Sequence, residues 1–68
     1  MNPADLASFY EVAVCKGVRR ASERLDIAPS ALSKHIKRLE GELGIKLLDR
    51  SSRGVVLTPA GEVCLHYA

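Results

Sequence analysis

Up to Gly44 the apolar positions of this chain recur with a helical period rather than a strand period. The clearest case is Leu32, Ile36, Leu39 and Leu43, whose spacing lays one apolar stripe along one side of a helix. At about 100° per residue, Ser30, Lys34, Lys37 and Arg38 fall on the opposite side, with Ser33 at its edge. Each of those positions is cationic or hydroxylic. The acids Glu40 and Glu42 lie toward the flanks, in the C-terminal half. A shorter helix precedes this one, from near Val18 to about Leu25, with Ala21 and Ser22 small enough to let a neighbouring helix come close. The two meet at a tight corner, Asp26-Ile27-Ala28, where Ile27 is expected to plug the angle and Pro29 is preset for the first helical position.

The flanking elements follow from the same reading. Asn2 caps a first helix, Pro3 fits its first turn, and Asp5 sets a negative charge near the positive end of the helix dipole. Leu6, Phe9, Tyr10 and Ala13 share one side of it, which predicts a core support with both aromatics inside. Gly17 breaks this helix and caps the next. Gly44 ends the third helix as the left-handed C-terminal residue, with Ile45 folding back on the last turn. Two short apolar runs, 46–50 and 55–57, flank a Ser/Gly turn at 51–54 and predict a β-hairpin. Thr58-Pro59 then opens a last helix, with Val63, Leu65 and Tyr67 on it.

The chain's 68 residues make one domain with a limited core. The net charge of +2 names no partner, but its distribution does more. Nine Lys/Arg stand against five Asp/Glu between Arg19 and Arg53, while one Lys stands against three acids elsewhere. Such a concentration suits contact with nucleic acid, although basic residues also simply solvate helix surfaces. A helix showing small polar and basic groups in its N-terminal half, backed by a short helix across a corner, suits a DNA major groove. Arg19 and Arg20 are placed to reach phosphates from the start of the second helix, as are Lys37 and Arg38 from the third. Ala28 offers no side-chain oxygen to the third helix, leaving its first N–H groups to water or a phosphate. Arg50 and Arg53, at the hairpin tip, suit a backbone or minor-groove contact.

Other chemistries find little support. Cys15 and Cys64 are far apart in sequence and outside a C-x-x-C pattern, so free thiols are expected, with a disulfide the alternative. His35 and His66 have no partners at metal-ligand spacing, and neither a metal nor a cofactor is expected. No apolar run reaches membrane-spanning length, and the N-terminus does not read as a secretory signal. There is no nucleophile–base pair, no phosphate-binding glycine loop and no paired carboxylate, so an enzyme is not expected. A protein-interaction module on the same scaffold remains the alternative, although its exposed helix should be apolar or acidic rather than basic.

Several stretches taken together carry a family resemblance. They are Leu6 and Phe9, Arg20-Ala21-Ser22-Glu23-Arg24-Leu25, Ala31-Leu32-Ser33, Ile36, Arg38-Leu39-Glu40 and Glu42-Leu43-Gly44. Leu47, Arg50, Arg53-Gly54 and Leu57-Thr58-Pro59-Ala60-Gly61-Glu62 continue the series. The chain resembles the N-terminal winged helix-turn-helix domain of a LysR-type transcriptional regulator. That resemblance implies a mainly α fold of three helices and a two-stranded β wing over residues 1–58, then the truncated start of a linker helix over 59–68. It implies a cytoplasmic, nucleoid-associated bacterial regulator that binds an interrupted inverted repeat of double-stranded DNA. It implies a homodimer through the linker helix, weakened by the truncation, and a small-molecule inducer only where the parent protein has a C-terminal domain. It places Pro29, Ser30, Ser33 and Lys34 at base edges, Arg50 and Arg53 in the wing, and Thr58 at the opening of the linker helix, where it joins the phosphate or minor-groove contacts. Departures from the family pattern concern base preference: Lys16-Gly17 stand for Gly-Ser, Ala28 for a hydroxyl residue, and Leu48 for an aromatic. Pro29-Ser30 replace Gln-Pro, which removes an amide able to pair with adenine. Lys34 replaces an arginine and lacks its planar fork.

Overall fold

The computed structural model describes residues 2–51 and 54–67. The Asn2 side-chain oxygen accepts the N–H of Ala4 at 2.8 Å and so opens α1, Pro3–Cys15. Helices α2, Val18–Leu25, and α3, Pro29–Leu43, follow across the expected corner. There Asp26 takes the left-handed conformation and its N–H reaches back to the last turn of α2. Strands β1, Leu48–Ser51, and β2, Gly54–Leu57, pair antiparallel, with Leu48 opposite Leu57 and Ser51 opposite Gly54. The chain enters α4, Pro59–Tyr67, directly from β2 through Thr58. The fold is therefore a three-helix unit with a two-stranded wing and a further helix.

The core joins all the early elements: Phe9 and Val12 from α1, Ala21 from α2, Leu32, Ile36 and Leu39 from α3, and Leu47 and Leu48 at the start of the wing. Ile27 packs against it at the corner. Three expectations need correction. Tyr10 is 46% exposed, because α1 buries Asp5, Ser8, Phe9 and Val12, and Tyr10 stands about 100° away from Phe9 around the helix. Leu43 is exposed as well, since the α3 stripe runs past the end of the core after Leu39. Lys16, with φ 57°, ends α1 in the left-handed conformation in place of Gly17, while Gly17 is extended and stands as the cap residue of α2, as expected.

The wing is attached at both of its ends. The carboxylate of Glu40 on α3 accepts the N–H groups of Leu47, at 2.8 Å, and Leu48, at 3.2 Å. At the other end Val55 N–H meets the Lys16 carbonyl at 3.4 Å. Gly54 has φ 119°, a conformation side chains rarely adopt, and a Cβ there would lie 3.0 Å from the same carbonyl. Helix α4 is seated as closely. A Cβ on Gly61 would fall 2.0 Å from the Leu47 carbonyl oxygen, so only glycine permits this approach. Cys15 and Cys64 are free and half-buried, in line with expectation.

Candidate nucleic-acid interface

Helix α3 presents one open side between two packed ones. Pro29, Ser30, Lys34 and Lys37 are exposed on it and Ser33 is half-buried, as the spacing implies. Its N-terminus receives no side-chain cap, since Ala28 stands at that position. The first-turn N–H groups of α3 are therefore open to an anion as far as side-chain capping is concerned. Between α3 and the start of the wing runs a cleft of about 580 Å³, into which Ser30, Ser33, Lys34 and Lys37 all face. Lys46 shares this cleft from the far side; the sequence places it in the first run of the hairpin, whereas β1 begins only at Leu48.

The remaining expected contacts divide into separate groups. Arg19 and Arg20 are exposed in the first turn of α2 and line a second concavity at the α1–α2 turn, together with Lys16. Arg53 lies outside the described residues, and Arg50 is described only as a strand position opposite Val55.

Two residues have intramolecular partners that the sequence did not suggest. The Thr58 hydroxyl donates to the Lys46 carbonyl at 2.6 Å and accepts the N–H of Gly61 at 3.0 Å, capping α4. Its one proton is thus committed, and a phosphate oxygen, which only accepts, finds no donor there. A phosphate contact by Thr58 would have to displace the Lys46 carbonyl. Arg38 gives two of its N–H groups to Asp5, Nε at 2.7 Å and Nη2 at 2.6 Å, while its side chain stays 54% exposed. Asp5 itself is fully buried, so its role exceeds that of a charge near a helix dipole. The hydrogen bonds from Arg38 hold the Asp5 carboxyl below its usual range against the opposing effect of burial, and the Arg38 charge adds to them. The Arg38 guanidinium is raised in turn. Beside this pair the Ser8 hydroxyl and Nδ1 of His35 lie 2.8 Å apart. Neither contact has a local sequence signal, because its partners come from different helices.

Residues 3–62 match the family described as bacterial regulatory helix-turn-helix protein, lysR family. Among curated relatives, the HTH-type transcriptional regulator PgrR of Escherichia coli K12 is 49% identical over 59 residues, covering 87% of this chain and 20% of its own length. The HTH-type transcriptional regulator PcaQ of Agrobacterium fabrum is 44% identical over 63 residues, covering 93% of this chain and 20% of its own. The chain therefore spans about a fifth of the length of the curated relatives it matches. Among solved structures, a BenM_DBD complex with catB site 1 DNA superposes with a TM-score of 0.95 at 40% identity, covering 98% of this chain and 75% of that one. Full-length CbnR complexed with its target DNA gives a TM-score of 0.95 at 34% identity, covering 98% and 23%.

Proposed function

This chain belongs to the lysR family of bacterial regulatory helix-turn-helix proteins, and from that membership we propose that it binds double-stranded DNA sequence-specifically as the DNA-reading part of a transcriptional regulator. Helix α3 enters the major groove, and the hairpin lies along the backbone or minor groove. The observation that carries this reading is the open side of α3, where lysines and serines surround a helix start without a side-chain cap. Two similar solved structures hold DNA, which supports the same reading. The relatives are transcriptional regulators, not enzymes.

In this reading Pro29, Ser30, Ser33 and Lys34 meet base edges, while Arg19, Arg20, Lys37 and Arg38 meet phosphates, with Lys46 added from across the cleft. Arg50 and Arg53 extend the contact from the wing. Residues 1–58 form the DNA-binding unit, and α4 begins a linker helix through which two copies dimerise on an inverted repeat. A small-molecule inducer acts only where the whole protein carries an effector domain, and the setting is the bacterial cytoplasm at the nucleoid. Among the described residues no helix is long and apolar enough to cross a membrane.

Fluorescence anisotropy against an inverted-repeat duplex library and a scrambled control, across a salt series, tests the proposal. Preference for a dyad is expected, with a slope of log affinity on log salt of about −0.9 per phosphate neutralised. Lys34→Ala should weaken a specific site more than scrambled DNA, by about 1–3 kcal/mol of discrimination. Equal losses on both would remove its base-reading role, and no binding at low salt would overturn the proposal.

A further inference from the structure

We infer that Asp5, buried in the first turn of α1, is a positioning residue for DNA recognition that works through the Arg38 guanidinium. This rests on the DNA-binding reading above and adds to it a residue that touches no DNA.

The argument begins with register. Asp5 meets Arg38, and one turn further along α1 Ser8 meets His35, one turn back along α3. The two rungs run in opposite directions along the two helices. Together they fix both the sliding and the rotation of α3 against α1 on this edge. Arg38 lies on the flank of the open side, about 80° around α3 from Ser30. Its side chain spans the space between the α1 contact and solvent. Asp5 takes Nε and Nη2, and a guanidinium carries five N–H groups in a rigid plane. Three are left over. Asp5 has no exposed surface and Arg38 is about half exposed, so the guanidinium keeps an outward part, with the Glu42 charge also close to it.

Two physical effects then oppose each other when DNA approaches. The Asp5 charge repels a phosphate and partly cancels the attraction of Arg38. Against that, a free arginine on a helix surface loses rotamer freedom on binding, and Arg38 has already lost it in folding. Asp5 stands behind the guanidinium, so its repulsion acts over a longer distance than the direct N–H contact. Directed hydrogen bonds from a held fork are also stronger and more specific than those of a point charge. Positioning therefore outweighs repulsion, which makes the inference easy to test by sign.

Asp5→Asn removes one negative charge. Pure electrostatics predicts tighter DNA binding by this variant, whereas positioning predicts weaker binding by about three- to tenfold. Anisotropy titrations would compare wild type, Asp5→Asn, Arg38→Ala and the double variant on the preferred duplex, below each variant's melting temperature as read by circular dichroism. The expected result is a loss for Asp5→Asn that disappears in the Arg38→Ala background. Unchanged or tighter binding by Asp5→Asn, or an equal loss in both backgrounds, overturns the inference. Arg38→Lys keeps the charge and loses the fork, so it carries the test by itself should Asp5→Asn fail to fold. Weakening of about the same size supports the positioning role, and wild-type affinity overturns it. A wild-type chain that binds no duplex overturns the DNA reading and this inference together. Binding with no coupling between the two positions overturns this inference alone.

Discussion

The two packed edges of α3 are held by carboxylates used in different ways. On the α1 edge Asp5 binds a side chain 33 positions away, and Ser8 one that is 27 away. On the wing edge Glu40 binds backbone N–H groups only seven and eight positions ahead. The wing tie needs nothing of the Leu47 and Leu48 side chains, because every residue except proline offers an N–H there. The α1 tie needs both partners to be of the right type. The entry of the wing is thus set by local backbone, while the rotation of the reading helix depends on distant side chains. The open side between them is left to Ser30, Lys34 and Lys37, which are exposed on it.

The largest effect that bears on this comparison should come from between the two edges. Leu39 is fully buried in the core, and Leu39→Ala should cost about 2–5 kcal/mol in urea unfolding. A cost well below that range would mean that the ties, rather than the apolar face, hold α3 in place. Next comes the wing edge. Glu40→Ala leaves the N–H groups of Leu47 and Leu48 without their acceptor and should cost about 1–3 kcal/mol. Glu40→Gln, which keeps a carbonyl oxygen, should retain most of that stability, and equal losses for both variants would assign the effect to charge instead.

The smallest effect should appear on the α1 edge under acid. A carboxyl held below its usual range stabilises the fold above its unfolded value and loses that contribution as pH falls through its folded one. The stability advantage of wild type over Asp5→Asn should therefore shrink as pH drops below about 5 and vanish once Asp5 is protonated in the folded state too. Denaturant titrations of both proteins over that range would check it, and a constant gap would show that the pair's ionic character is irrelevant.

Much of this was open to sequence reading. The bounds of α2 and α3, the corner at Asp26 to Ala28, the missing cap at Ala28 and the open side of α3 all follow from spacing and turn chemistry. What escaped was chemistry that depends on a partner. Asp5 reads as a helix-dipole acid because that role is local, and only packing shows it buried against Arg38. Thr58 reads correctly as a cap, but its second bond, to the Lys46 carbonyl, depends on how α4 sits. Tyr10 and Phe9 are neighbours of similar character, and the face chosen by α2 and α3 decided which of them is inside.

The sequence by itself determined the elements and the cationic side of α3, because periodicity, capping and turn preferences act within a few residues of the chain. The tertiary structure alone decided which polar groups on that helix are free to meet DNA. Ionic and hydrogen-bond partners compete through space, and burial turns Asp5 from a surface charge into a fixed support for Arg38.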